Sequence, residues 1–327
     1  MAKNIYLQPK SRKNNLASTR DGFGQGLIKA ASSNKKIVAL TGDLRESLRL
    51  EEFAQKYPDR FFECGVAEQN MIGIAAGLAH EGFIPFACSY GVFSAGRGWE
   101  QIRLAVSYSK NNVKIVGSHA GIATGEDGVS HQATEDIALT RVLPNFVVLS
   151  PCDVTEAEKA TVAAANWQGP VYLRLVRPKT PSITTPSAPF EIGKMQILRE
   201  GSDVTIIATG PLLYFALLAG EKLAQERIEA EVINCSTIKP LDEKTLLQSV
   251  LKTKALVTVE DHQLAGGMGS AIAEFLVQNK PVPQEFVAMR DCYASSGESR
   301  ELWQEYHLCD NGIIKAVKRV IERKRKV

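Results

Sequence analysis

No CxxC pair joins any of the six cysteines of this chain, Cys64, Cys88, Cys152, Cys235, Cys292 and Cys309. Their scatter removes the usual sequence signs of a zinc site and of a disulfide framework, and fits a protein kept in a reducing cytoplasm. No apolar run approaches the ~18–20 residues that a membrane-spanning helix needs, and the polar N-terminus lacks the apolar segment of a secretory leader. Aromatic residues make up only 7% of the chain and are not interleaved with its basic clusters, so the pattern gives no support to nucleic-acid binding. Excess charge is also scarce, a formal +3, and it sits at the two ends, Lys3 to Lys13 and Lys315 to Lys326. A basic last helical turn complements the helix dipole and reads as a solvated end.

What is present is an ordinary globular composition, 44% hydrophobic and 23% charged over 327 residues, a length that suits two domains of about 100–200 residues each. Apolar, β-branched runs at Ile37 to Leu40, Arg60 to Glu63, Val113 to Ser118, Phe146 to Ser150 and Val171 to Leu175 alternate with helical stretches such as Leu50 to Lys56. That rhythm predicts a parallel sheet covered on both faces. Lys179 to Pro189 carries three prolines and no periodicity, a linker composition. Beyond it Val204 to Ala208, Ala230 to Asn234, Ala255 to Glu260 and Gln284 to Met289 again alternate with helices and predict a second, smaller layer. The expected fold class is α/β, with two domains that are each a mostly parallel sheet flanked by helices.

Three stretches carry polar groups in settings that chemistry uses. Gly65-Val66-Ala67-Glu68-Gln69-Asn70-Met71 opens a helix whose small residues Gly73, Ala76 and Gly77 imply close packing. Glu68 falls in its first turn among apolar neighbours, where a carboxylate either stabilises the helix dipole or shares a proton with a ligand nitrogen. Ser89 to Arg103 is rich in aromatics and glycine directly after an apolar strand, and Tyr90 and Phe93 in it serve as core or stack on a planar heterocycle. His119 to Gln132 follows the predicted strand Val113 to Ser118 and holds two of the five histidines with Glu126 and Asp127 between them. Ligands of open α/β sheets bind at the carboxyl ends of strands, so this loop marks a site. The histidines are too far apart for one helix face and lack an evident third ligand, which disfavours a metal. Glu260-Asp261-His262 followed by Gly266-Gly267-Met268-Gly269 reads as a tight strand-to-helix turn, since a lone glycine cluster is weak evidence for a nucleotide loop.

The motifs EDGxxHQ (Glu126 to Gln132), GVAEQNM and the aromatic stretch together resemble the pyrimidine-binding domain of the transketolases. The second half resembles their C-terminal domain, so the resemblance covers nearly the whole chain. It implies an N-terminal arm over 1–18, a pyrimidine-binding domain over 19–178, a linker over 179–190 and a C-terminal domain over 191–327. It also implies a thiamine-diphosphate enzyme that moves a two-carbon ketol unit from a ketose phosphate to an aldose phosphate, as in the pentose phosphate pathway. The family's diphosphate-binding domain, with its magnesium-binding GDG motif, has no counterpart here. The resemblance therefore implies an N-terminal partner subunit that supplies Mg2+ and the diphosphate contacts, in an α2β2 heterotetramer.

Carried over by position, the resemblance places Glu68 on the aminopyrimidine nitrogen, where it favours the imino tautomer. Tyr90 and Phe93 pack on that ring, a third family aromatic being replaced by Gly96, and Asp43 lies near the cofactor. His119, Asp127 and His131 contact sugar hydroxyls, and His119 and His131 also move protons. Arg20, Arg174 and Ser47 hold the substrate phosphate. Within the same superfamily a 1-deoxyxylulose-5-phosphate synthase normally carries both thiamine domains on one chain, and His131-Gln132 argues against it. A 2-oxo acid dehydrogenase β subunit acts on substrates without a sugar's hydroxyl pattern, which His119, Asp127 and His131 disfavour. A non-catalytic scaffold would have no use for Glu68 and the polar loop.

Overall fold

The computed structural model describes Leu7 and residues 15–326; the basic cluster Lys3 to Lys13 lies outside the described residues. Two sheets organise the chain. The larger has seven strands in the order Thr237–Lys239, Val147–Leu149, Val171–Arg174, Lys114–Ser118, Ile84–Tyr90, Ile37–Thr41 and Phe61–Glu63. Every neighbour in it is parallel except Thr237–Lys239, which pairs antiparallel with Val147–Leu149. The central strands are buried along nearly their whole length, as helices on both faces require. The smaller sheet has five strands in the order Gln284–Met289, Leu256–Gln263, Val204–Ala208, Ala230–Asn234 and Gln196–Arg199, of which only the last is antiparallel to its neighbour. Two mostly parallel, helix-flanked sheets are the fold class that the alternating pattern predicts. The strand Thr237–Lys239 is a departure, because it comes from the second half of the chain yet completes the edge of the first sheet.

Close backbone approach positions the first helix. Thr19–Ser33 packs on Val154–Asn166, and a Cβ at Gly22 would sit 2.0 Å from the Val154 carbonyl oxygen while one at Gly26 would sit 2.6 Å from that of Glu158. Ser18 caps this helix in a capping box with Asp21, and Ser18 Oγ donates to the Val176 carbonyl at 3.0 Å while Thr19 Oγ1 accepts from the Val176 N–H at 2.9 Å. The N-terminus of the helix is thereby fixed to the chain just past the strand Val171–Arg174.

The proline-rich stretch is held along its length. Thr180–Pro181 pairs antiparallel with Leu16–Ala17, Leu7 bridges Thr184, and the buried Asp153 carboxylate accepts from the N–H groups of Ile183 and Thr184 at 2.8 and 2.6 Å. Extended, proline-containing chain suits such short edge pairing. The expected close packing is not found at Gly73 and Gly77. Ala76 is buried, but both glycines face outward with nothing within 4 Å of an added Cβ, so they make no close contact within this chain. At the far end of the chain, Arg319 and Arg323 in the helix Asp310–Lys324 pair with Glu285 at 3.2 and 2.7 Å, a solvated helix end of the expected kind.

Candidate active site

Five strand ends converge on one edge of the larger sheet. Asp43 follows Ile37–Thr41, Glu68 follows Phe61–Glu63, Tyr90 ends Ile84–Tyr90, His119 follows Lys114–Ser118 and Arg177 follows Val171–Arg174. Parallel strands point their carboxyl ends the same way, and a ligand crevice forms there.

Glu68 starts the helix Glu68–His80 and is buried. Its Oε2 accepts a 2.8 Å hydrogen bond from Arg97 Nη1, a pair whose side chains are 2% and 48% exposed respectively. Arg97 ends a wide helical turn, Val92–Arg97, and its guanidinium carbon lies 4.5 Å from the centroid of the Phe93 ring, a cation–π contact. Phe93 in turn stacks with Tyr90 at a centroid distance of 5.9 Å and meets the His131 ring edge-on at 5.3 Å. Tyr90 lies against His119 at 3.8 Å. Glu68, Phe93, Tyr90, His119 and His131 thus form one continuous wall, with Arg97 as its sixth member. Sequence reasoning passed over Arg97. The available signal was its spacing, four residues beyond Phe93 and hence on the same helical face.

The histidine loop is held from two sides. His119 sits at φ 56°, its Nδ1 is 2.9 Å from Ser118 Oγ, and its carbonyl accepts from Thr124 Oγ1. The Gly121 N–H donates to the Ala133 carbonyl at 2.7 Å. From the second half of the chain, Asp261 Oδ1 accepts the Ile122 N–H at 2.9 Å while its Oδ2 accepts Trp303 Nε1 at 2.8 Å. Ser299 Oγ donates to the Ala123 carbonyl at 2.8 Å. Gly121, at φ 77°, has to be glycine because a Cβ there would meet the Asp261 carboxylate at 2.3 Å. Glu260, next to Asp261, anchors the turn that follows. Its carboxyl accepts from the N–H groups of Met268 and Gly269 at 2.7 and 2.8 Å, so the glycine-rich helix start is already occupied by a side chain of its own chain. Burial pushes the Glu260 carboxyl up to about 7.

Arg20 lies half-buried between these parts. It donates to the carbonyls of Ser47 at 2.7 Å and Arg177 at 2.9 Å, and burial followed by repulsion from Arg49 pushes it down to about 10. Ser47 meets it through its carbonyl. Arg177 donates to the Thr124 carbonyl at 2.7 Å and lies 3.6 Å from the Asp127 carboxylate. The Asp43 N–H donates to Glu63 Oε1 at 2.7 Å, and the Asp43 side chain is exposed.

Arg174 stands apart. It is 2% exposed, its Nε bonds to Asp136 Oδ2 at 2.8 Å, and its Nη2 donates to the carbonyls of Ala133 and Asp261 at 3.2 and 2.8 Å. Tyr172 completes this buried set by donating to the same Asp136 oxygen at 2.7 Å. A guanidinium enclosed in this way offers no open face to a phosphate, so the placement of Arg174 at the substrate is corrected. Arg177, three positions on and past the strand end, lies on the open side beside Arg20.

His119 is surrounded by cations. Burial first, then Arg20, Arg177, His131 and Arg49, pushes it down to about 3, so it is neutral at physiological pH and acts as a hydrogen-bonding group. An unfolded histidine titrates near ~6.5. Between those values the unfolded chain binds the extra proton, so this group's contribution to stability is complete above about 6.5 and falls with acidification by about 1.4 kcal/mol per pH unit. In His119→Gln that slope is absent. The stability advantage of the wild type over the variant is expected to shrink by about 2 kcal/mol between about pH 7 and pH 5 in urea unfolding; a constant difference would show that His119 titrates alike in the folded and unfolded chain.

Among the described residues no group of three or more His, Cys, Asp or Glu side chains is placed to hold a metal ion. No described helix is long and apolar enough to cross a membrane.

A buried carboxylate, stacked aromatics and a neutral histidine thus stand together at the strand ends of a two-sheet α/β fold. Family models for the transketolase pyrimidine-binding domain and the transketolase C-terminal domain match residues 16–182 and 193–313; the chain belongs to the transketolase family. A putative transketolase C-terminal section of Methanocaldococcus jannaschii is 44% identical over 310 residues, 94% of this chain and 96% of that protein. A 6-deoxy-6-sulfo-D-fructose transketolase subunit of Clostridium sp. is 42% identical over 305 residues, 93% of this chain and 95% of that protein. Among solved structures, a split-gene transketolase described as an inactive β4 tetramer superimposes with a TM-score of 0.88 at 42% identity, covering 94% of this chain and 99% of that one.

Proposed function

We propose that this chain is the pyrimidine-binding subunit of a split transketolase, which transfers a two-carbon ketol unit between phosphorylated sugars with thiamine diphosphate. The observation that supports this most directly is the buried Glu68 carboxylate beside the half-buried face of Phe93. The Phe93 face and the Glu68 carboxylate would hold a planar aminopyrimidine there. When bound, thiamine diphosphate supplies the electron sink for breaking the carbon–carbon bond of the ketose.

The chain's own residues do the rest. Glu68 holds a proton at the ring nitrogen, in a setting from which water is excluded. Neutral His119 and the more open His131 face the same wall, where they hydrogen-bond sugar hydroxyls and relay the proton that ketol cleavage moves. Asp127, exposed beside Arg177, reads a hydroxyl further along the sugar. Arg20 and Arg177, with Arg49 behind them, hold the terminal anion, since guanidinium groups suit phosphate and sulfonate oxygens alike. Asp43, at the neighbouring strand end, faces the cofactor side. The magnesium ion and the diphosphate contacts belong to an N-terminal partner subunit in an α2β2 assembly. Val66 and Ile74, exposed at 69% and 39% just before and within the helix that Glu68 starts, are apolar surface such a partner would cover.

Assay of two-carbon transfer from ketose phosphates to aldose phosphates, with this chain co-expressed beside a GDG-containing companion and supplied with Mg2+ and thiamine diphosphate, tests the reading. Transfer is expected from the pair and not from this chain alone. A correctly assembled, cofactor-bound pair that transfers from no sugar phosphate or sulfonate overturns it.

A further inference from the structure

Arg97 has no part in the chemistry above, yet it makes the two contacts assigned there to the cofactor's ring. Its planar guanidinium covers Phe93, with the central carbon 4.5 Å from the ring centroid, and its Nη1 donates to Glu68 Oε2 at 2.8 Å. Guanidinium and aminopyrimidine are both flat, nitrogen-edged groups that stack by one face and hydrogen-bond to a carboxylate by one edge. They compete for the same space.

We infer that Arg97 is a stand-in for the cofactor's pyrimidine, pairing Glu68 in the cofactor-free chain and swinging out when the ring binds. This rests on the functional reading. The surroundings allow the exchange. Arg97 is 48% exposed while Glu68 is 2% exposed, so the arginine can withdraw into water and the carboxylate cannot. Gly96 beside it has nothing within 4 Å of an added Cβ, which leaves the outer side of the turn open. Arg177 and Arg20 are both tied to main-chain carbonyls, whereas the partners of Arg97 at the site are Glu68 and Phe93.

The device has a physical reason. A carboxylate buried without a partner is strongly unfavourable, and the arginine relieves that in the free chain. In exchange, apparent cofactor affinity is scaled down to the fraction of molecules in which Arg97 has swung out. Displacing Arg97 also returns a charged group to solvent, where it is well hydrated.

Titration of the co-expressed complex with thiamine diphosphate at fixed Mg2+, by calorimetry, tests the inference. Arg97→Met keeps the volume over Phe93 but removes the N–H donors and the charge. Its expected Kd is about tenfold lower than that of the wild type, since displacement of the pair no longer opposes binding. Arg97→Lys, which keeps a charge but cannot stack as a plane, is expected to lower Kd about threefold. A second readout separates this from a merely structural role: Arg97→Met lowers the melting temperature of the cofactor-free complex and leaves that of the cofactor-saturated complex unchanged. An unchanged or raised Kd in both variants overturns the stand-in role while leaving the functional reading intact. A wild-type complex that binds no thiamine diphosphate overturns both.

Discussion

Glu68→Gln is expected to lower two-carbon transfer by about 10²–10⁴-fold while leaving the chain folded and assembled, because the amide cannot take part in proton transfer with a ring nitrogen. The stability side of this expectation comes from the asymmetry of its ion pair. Removing the carboxylate leaves behind only Arg97, which is already half-exposed and returns to water at little cost. No uncompensated charge remains inside. Glu68→Gln also preserves the side chain's volume at the start of Glu68–His80, so the packing of Met71 and Ile72 beneath it stays as it is. Unfolding free energies within about 1 kcal/mol of the wild type, together with the collapse in transfer rate, would place Glu68 in the chemistry. A variant retaining more than about a tenth of wild-type transfer would remove it from the proton-transfer role, given the usual size of such effects.

Much of this site is legible in the sequence because parallel α/β topology converts strand ends into a site without further information. Once Ile37 to Leu40, Val113 to Ser118 and Val171 to Leu175 read as strands, the residues just past them are candidates by position, and the glycine, aromatic and histidine motifs fall there. What is not legible depends on the third dimension. Glu68 and Arg97 are 29 positions apart, and no local pattern says that a helix start and a wide helical turn face each other. Likewise Asp261 gives the Glu260-Asp261-His262 stretch its purpose by fixing the Ile122 N–H, 139 positions away. The prolines of the stretch after Lys179 say that it is extended; only the fold shows that Asp153 and the Leu16–Ala17 strand hold it down. Gly73 and Gly77 point the same way: small residues at helical spacing announce a close approach, and within this chain nothing makes it.

The contrast between Arg174 and Arg177 turns on one register of a strand, and it gives the largest expected effect on stability. Arg174 is the last residue of Val171–Arg174, inside the ladder, and its side chain enters the space between the two halves of the molecule. Arg177 lies beyond the strand end, on the crevice side with Arg20 and His119. Arg174→Met is expected to destabilise the chain by about 3–5 kcal/mol, because it strands the Asp136 carboxylate in a water-free setting with only the Tyr172 hydroxyl to satisfy it. One oxygen of Asp136, Oδ1, already lacks a hydrogen-bond partner, so the site has little left to compensate with. Arg177→Met removes a half-buried cation whose partners are a main-chain carbonyl and a half-exposed carboxylate, and its unfolding free energy is expected to change by less than about 1 kcal/mol. Its effect appears in the kinetics instead: KM for a phosphorylated ketose rises about tenfold or more, while a non-phosphorylated ketose is used as before. Urea unfolding and substrate titration on the two variants separate the roles. A destabilised Arg177→Met with unchanged KM, beside a stable Arg174→Met with raised KM, would return the phosphate to Arg174 and require the Asp136 pair to open in solution.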